Sequence, residues 1–484
     1  MLFLITFCLF LLGSTGLIFL NALKMWRLNR DLTLPISTFF IYYFTLGGAI
    51  FFPIDAFLGF KGAEIGLHYL PMFDRLFKVS FDFNYLNACL LYVFFILIFQ
   101  FTYLILMKKK QHLGDALNLN EKHIPFKLSI NTNYIMLMSL FFIFISIYVL
   151  RKELFYAIAN EKSIYIITRA NTNPYYTIHQ LANEFAIIIP FIAYSFTILK
   201  NNKYNININK KKLSFVILFL CCSISSIYIA MLGNRREILS GLVICLLISL
   251  NEFKNINYKK LGAIVLLVFS IFLMNNFFRS TSIPKLINNL AHPRYDQGLS
   301  LKKENNNNQE SGVAKSKHAL GSFFLSNELF YAHFSMYGVL EKKVPITHGS
   351  SLIYLFSSII PRSVYAKRPP DIYSYYAKSV NAAPGQIYTI HHATAWYLNF
   401  GILGIFIGAI LLALLFVFSF RIKFLNLKYQ NKFIIFLKFL MPYLICSQIV
   451  TFITAGPEAY KAMIVEGVIL PILLISFCTR KEIH

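Results

Sequence analysis

Apolar runs of roughly 18 residues or more, each long enough for a spanning helix, recur along the whole of this chain. With 484 residues, 57% of them hydrophobic and only 14% charged, the chain is too apolar for a soluble protein. The expected class is an all-α polytopic membrane protein of about eleven spans. A net charge of +25 would suggest nucleic acid in a soluble chain. Here much of the excess sits in short loops between spans, where positive charge sets orientation, and no nucleic-acid partner is expected. The first run, Phe3 to Leu20, lacks a basic leading region and a small-residue cleavage site, so it is read as retained. All seven cysteines lie in apolar runs, which implies neither a disulfide framework nor a zinc spacing.

The basic loops order the spans. Lys24, Arg27 and Arg30 follow span one and mark a cytoplasmic loop, which puts the N-terminus outside. Span two, about Ile36 to Leu58, leads to a mixed-charge outer loop. Span three, about Leu86 to Met107, ends at Lys108-Lys109-Lys110. Span four, about Tyr134 to Leu150, delivers a long outer segment, and span five, about Phe185 to Leu199, returns to the lysine-rich KNNKYNININKKK. Spans six (about Leu213 to Leu232) and seven (about Ile238 to Leu250) are joined by the short GNRREIL. Span eight, about Leu261 to Phe277, opens into the largest outer segment. Spans nine, ten and eleven run about Ala395 to Phe420, Ile434 to Ile453 and Ala462 to Cys478, leaving the C-terminus inside. The chain thus divides into spans one to eight (1–277), a large outer loop (278–393) and spans nine to eleven (394–484). Within the loop, KKENNNNQESG reads as a low-complexity tip without chemistry.

The outer segments collect the residues that could carry chemistry. Arg235 and Arg236 occupy a hairpin tip between two apolar spans, with Glu237 beside them. Guanidinium forks suit phosphate oxygens bidentately, although snorkelling to lipid headgroups would also explain the pair. Arg362, Lys367 and Arg368 form a second cationic cluster, its backbone restrained by Pro361, Pro369 and Pro370. A basic rim facing anionic lipid is the competing account. Arg169 and Arg279 are weaker cationic candidates. The run SLIYLFSSII, from Ser351, is too short to cross a bilayer and is expected to be interfacial or re-entrant. His391 and His392 precede span nine. Adjacent histidines point in different directions on a helix, so one of them at most is expected to bind or deprotonate a substrate hydroxyl. Tyr376, Trp396 and Tyr397 belong to an aromatic concentration that fits an interfacial belt and also the apolar faces of sugars. Glu458, in the turn AGPEAYK, and Glu466, inside span eleven, are acidic candidates; pairing with Lys438 or Lys461 would serve structure alone. No HExxH or Asp-x-Asp pattern occurs in the outer segments, so no metal or other cofactor is expected.

The order of these pieces resembles the bacterial O-antigen or oligosaccharide repeat unit polymerases (Wzy-type). IPRSVYAKRPP is similar to the family's Pro-Arg…Lys-Pro segment. PGQ…AWYLNFGILG, which includes Asn399, resembles its Asn-Phe-Gly-x-x-Gly lead-in to a late span, and MLGNRREIL its Gly-x-Arg hairpin. An acidic residue often seen shortly before the Asn-Phe-Gly element is absent, with His391, His392 and Thr394 nearby instead. The resemblance implies an inverting, metal-independent glycosyltransferase with a GT-C-like fold, acting at the periplasmic side of a bacterial inner membrane. It would move a growing glycan from undecaprenyl pyrophosphate onto the sugar of another lipid-linked repeat unit. The arginines would hold the departing pyrophosphate, where negative charge builds in the transition state. Lipid-linked oligosaccharides, membrane lipid and a chain-length-regulating co-polymerase are the partners implied. The alternatives are an O-antigen ligase that transfers glycan to lipid A core, a lipid-linked oligosaccharide flippase, which is a transporter, and a scaffold subunit.

Overall fold

The computed structural model describes residues 2–29, 31–57, 82–114, 127–160, 164, 167, 176–199, 206–208, 212–234, 236–251, 257–280, 329–357, 370–381, 389–422, 431–457 and 459–482. They form an α-helical polytopic membrane protein. Among the described residues, eight helical stretches are long and apolar enough to cross a membrane: Phe3–Leu28, Thr33–Ile50, Phe83–Lys108, Thr132–Val149, Ile178–Ile198, Leu213–Met231, Ile402–Arg421 and Ala459–Phe477. Spans seven, eight and ten of the sequence reading coincide with helices outside that set.

The chain folds into two compact units, each assembled from distant segments: Met1–Leu119, Asn308–Ile422 and Gln448–Ile464 in unit 1, and the remainder in unit 2. Unit 1 is built on α1 (Leu2–Asn29), α2 (Thr33–Phe57) and α3 (Phe83–Gly114). Asp31 starts α2 by accepting the Thr33 N–H at 2.9 Å, which satisfies one orphan donor of the first turn. In unit 2 the helices α4 (Thr132–Val149), α5 (Arg151–Ala159), α6 (Tyr176–Ile198), α7 (Lys212–Met231), α8 (Arg236–Asn251) and α9 (Tyr258–Ser280) follow in order. Unit 1 resumes with α10 (Leu329–Glu341), α11 (Ser350–Ser357), α12 (Ile372–Ser379), α13 (His392–Phe400) and α14 (Ile402–Arg421). Asp371, adjacent to the predicted cationic cluster, caps α12 by accepting the Ser374 N–H at 2.6 Å.

Span ten is interrupted: α15 (Lys432–Ser447) stops at Gln448 and α16 (Ile449–Ile453) follows. Span eleven opens with a short α17 (Ala459–Lys461), passes through a π-helical stretch, Ala462–Ile469, that contains Glu466, and ends in α18 (Leu470–Phe477).

Span nine is not the continuous helix that its hydropathy suggests. Gly401, at φ +61°, breaks it, and α13 folds back on α14. The close approach explains the glycines of NFGILG. A Cβ on Gly404 would sit 1.9 Å from the Trp396 carbonyl oxygen, and one on Gly408 would sit 2.4 Å from the Trp396 ring. Hydropathy averages over this reversal because both arms are apolar.

Unit 2 adds an element absent from the sequence reading, a three-stranded sheet. β1 (Lys127–Ile130) is central, parallel to β2 (Ile206–Ile208) with Leu128 opposite Ile206, and antiparallel to β3 (Thr479–Glu482) with Leu128 opposite Lys481. Leu128 and Ile130 alternate with polar neighbours and are buried, the period-2 pattern of a half-buried strand. Four residues of alternation are too few to stand out beside the long spans. The three strands come from three of the basic segments that the charge pattern assigns to one face of the membrane.

Candidate functional site

Each unit holds a polar cluster inside otherwise apolar packing. That of unit 1 is built on three histidines. α10 and α13, both too short to span, pack against α2 and α3. Gly48 lets α10 approach α2, since a Cβ there would meet the His333 ring at 2.6 Å. Tyr92 marks the depth of the cluster: it lies in the third turn of α3, roughly 13 Å along the axis from that helix's first residue.

The hydrogen bonds fix each ring. His333 Nδ1–H donates to the Thr45 carbonyl oxygen at 2.7 Å, and Tyr85 O–H donates to His333 Nε2 at 2.8 Å. His391 caps α13 by accepting the Ala393 N–H on Nδ1 at 3.1 Å, which leaves Nε2–H to donate to Thr45 Oγ1 at 2.9 Å. His392 Nδ1–H donates to the Ala455 carbonyl oxygen, and its Nε2 accepts from Trp396 Nε1–H, both at 2.9 Å. Thr45 therefore joins two histidines, one through its backbone and one through its hydroxyl. Tyr92 O–H donates to the His333 carbonyl oxygen at 2.7 Å and lies 3.2 Å from Thr394 Oγ1, and the His391 N–H donates to Ser335 Oγ at 3.0 Å. Aromatic rings enclose the set, with Tyr92 4.6 Å from His391 and Phe452 4.2 Å from His392, centroid to centroid.

All three imidazoles are buried, and burial disfavours the charged form. Burial pushes His333 and His392 down to about 4, against the bonds to Thr45 and Ala455 that favour protonation. His391 is pushed well below its ordinary value by burial first, then by His392 and His333. All three rings are neutral at neutral pH.

The expected divergence of the adjacent histidines is seen: His391 faces Thr45 and His392 faces Ala455. Asn399 bonds back to the Ala395 carbonyl oxygen at 2.8 Å while its Oδ1 accepts from Ser351 Oγ at 2.9 Å and Thr347 Oγ1 at 3.1 Å. It thus fastens α13 to the first turn of α11 and to Thr347 just ahead of it. Trp396 and Tyr376 are buried, and Tyr397 is half-buried. α11, the expected interfacial run, exposes Ile353 and Phe356.

In unit 2, α7 ends in a Schellman motif. Gly233, at φ +77°, donates its N–H to the Ala230 carbonyl oxygen at 2.9 Å, and the Asn234 N–H reaches that of Ile229 at 3.2 Å. Arg236 then begins α8. Its side chain is half-exposed and 3.9 Å from Glu237, whose charge suits a helix N-terminus. Arg169, Arg235, Arg362, Lys367, Arg368 and Glu458 lie outside the described residues, and Arg279 falls on α9 with only its backbone described.

Sequence reasoning missed His333, Thr45, Tyr85 and Tyr92, and in unit 2 a network of Ser146, His179, Asn183 and Tyr228. His333 sits alone in an aromatic run, where nothing marks it. His179 and Asn183 gave a usable signal, two polar side chains four residues apart and therefore on one face of span five. Among the described residues no group of three or more His, Cys, Asp or Glu is placed to hold a metal ion. Compared with known protein families, curated proteins and solved structures, the chain matches none.

Proposed function

We propose that this chain is an oligosaccharide repeat unit polymerase, an inverting and metal-independent glycosyltransferase of eleven spans and GT-C-like build. In this reading it lies in a bacterial inner membrane with its N-terminus periplasmic and its C-terminus cytoplasmic. It transfers a growing glycan from undecaprenyl pyrophosphate to the sugar of an incoming lipid-linked unit. The observation that carries the reading is the Gly233 hairpin. A capped turn holds Arg236 at one end of unit 2, while α4, about 27 Å long at 1.5 Å per residue, starts beside the sheet at the other end. A guanidinium presented there suits the phosphate oxygens of a membrane-anchored diphosphate. Arg362 and Arg368, the second cationic cluster of the sequence, are further candidates for binding the diphosphate.

A complementation series scored by glycan ladder length, with protein level followed by immunoblot, tests this. Arg235→Ala, Arg236→Ala, Arg362→Ala and Arg368→Ala should each slow polymerisation roughly ten- to a hundred-fold, because a charged hydrogen bond contributes on the order of 1.5–3 kcal/mol. Arg→Lys should rescue in part, keeping the charge and losing the planar fork. Full ladders from all four alanine variants would make these arginines lipid anchors. Deleting the gene separates the alternatives. A single retained repeat means polymerase, a bare core means ligase, and repeat units trapped facing inward mean flippase.

A further inference from the structure

We propose that Tyr228, Ser146 and His179 form a proton relay that accepts the hydroxyl proton of the acceptor sugar. The proposal rests on the polymerase reading and supplies the proton acceptor which that reading leaves open. Three membrane helices of unit 2 contribute. Ser146 lies in the last turn of α4, His179 in the first turn of α6, and Tyr228 in the last turn of α7. Ser146 Oγ is 2.5 Å from Tyr228 Oη, 2.7 Å from His179 Nδ1 and 2.8 Å from Asn183 Oδ1. Asn183 Nδ2 closes the ring at 3.0 Å from His179 Nε2.

This ring can be completed in two ways. With the Asn183 amide nitrogen on Nε2, the imidazole carries its proton on Nδ1, donates to Ser146, and Ser146 donates to the amide oxygen. With the amide turned over, its oxygen accepts from Nε2–H and its nitrogen donates to Ser146, which now donates to a bare Nδ1. Tyr228 donates to Ser146 in both. Amide orientation and histidine tautomer are coupled choices, and here each choice satisfies every group. The second arrangement is ready to receive a proton at Nδ1 through Ser146. The histidines of unit 1 have no such freedom, because backbone carbonyls and a backbone N–H fix their tautomers.

The network also has an outlet and a counter-charge. Tyr228 is half-buried, whereas Ser146, His179 and Asn183 are buried, so the phenol is the member of the relay nearest to the surface. It packs with Leu232, one residue before the Gly233 cap, in the cluster that includes Leu150 and Ala157. The relay therefore lies beneath the hairpin that carries Arg235 and Arg236. Glu153, buried on α5, acts electrostatically on His179 and would balance an imidazolium. Among the described residues, Glu153 acts on His179 electrostatically and Tyr228 is linked to it through Ser146.

The step balances. The acceptor hydroxyl oxygen forms a bond to the anomeric carbon of the donor glycan, and the carbon–oxygen bond to the diphosphate breaks with its electron pair on the diphosphate. The hydroxyl proton passes to Tyr228 Oη as the phenol proton moves to Ser146 and the serine proton to His179 Nδ1. The imidazolium later returns its proton to water.

The test uses the full chain in liposomes with lipid-linked oligosaccharides extracted from source cells that lack it. Polymer formation per folded enzyme is followed from pH 3.5 to pH 9. Wild type should lose rate only at the acid end, as the relay fills with protons. His179→Gln and Tyr228→Phe should each cut the rate at pH 8 by about 100-fold, the scale of general base catalysis, and flatten the acid limb. Ser146→Ala should do the same, while Asn183→Asp should shift the acid limb rather than abolish it. A folded His179→Gln with the wild-type rate and pH profile overturns the relay. Should His179→Gln fail to fold, Tyr228→Phe keeps the ring packing, and an unchanged rate and profile there overturn it equally. No polymer from wild type would remove the polymerase reading itself, and the relay with it.

Discussion

The two buried polar clusters use the same residue type to opposite ends. In unit 1, His333, His391 and His392 are each clamped between groups that include a backbone carbonyl or N–H, so tautomer and ring orientation are set by the fold. In unit 2, the bonds of His179 to Ser146 and Asn183 run to side chains that can exchange donor and acceptor roles. A histidine clamped by backbone fixes the structure around it. A histidine held by hydroxyls and an amide can pass a proton without any movement of the chain.

The contrast predicts where each unit breaks. The largest effect is expected from Gly404→Ala. Its Cβ would overlap backbone atoms, 1.9 Å from the Trp396 oxygen and 2.6 Å from its carbonyl carbon, and backbone cannot rotate away. The cost should exceed about 3 kcal/mol, above the usual range for overpacking, and the purified protein should lose its monodisperse gel-filtration peak. A normal peak and melting temperature would mean that α13 is not held where it is seen.

Acid should come next. His333 and His392 have folded pKa values near 4, below the ordinary 6.5, so the unfolded state binds more protons between those values. Stability is then complete above about pH 6.5 and is lost as pH falls towards 4, by up to about 3 kcal/mol per histidine. Melting temperatures in detergent at pH 7.5, 6 and 5 would show the fall. His333→Phe should lower stability at pH 7.5 and make the slope shallower; an unchanged slope would count against its neutrality.

A milder result is expected from Gly241→Ala in unit 2. There the added Cβ meets side chains, the Phe191 ring at 2.8 Å and Ile187 Cγ2 at 2.9 Å, and side chains can give way. A loss of about 1 kcal/mol is expected, in the low range for overpacking, visible as a small drop in melting temperature with activity retained. A loss matching that of Gly404→Ala would erase the difference between the two packings.

Much of this organisation was legible in the residues. Runs such as Leu86 to Met107 announce membrane helices because about twenty mostly apolar residues in a row have few other uses. The Gly233–Arg236 hairpin was legible because so short a stretch, GNRREIL, separates two apolar runs. The reversal at Gly401 was hidden, since the apolar residues on both sides give one hydropathy peak, and only the Trp396–Gly404 contact shows why small residues recur. The histidine cluster was half legible. His391 and His392 stand out as a pair, but their partners Thr45 and Tyr92 are ordinary residues of early spans, hundreds of positions away. Long-range pairing of that kind leaves no local pattern.

The sheet carries a consequence for biosynthesis. β1 waits for β2, and its other edge is filled by β3, about 270 residues later in synthesis. Until Thr479–Glu482 emerges from the ribosome, that edge keeps open hydrogen-bonding groups that any passing strand could occupy. Unit 2 is consequently the last part of the protein to close, and a chaperone or protease that senses open strand edges could tell a finished copy from an interrupted one.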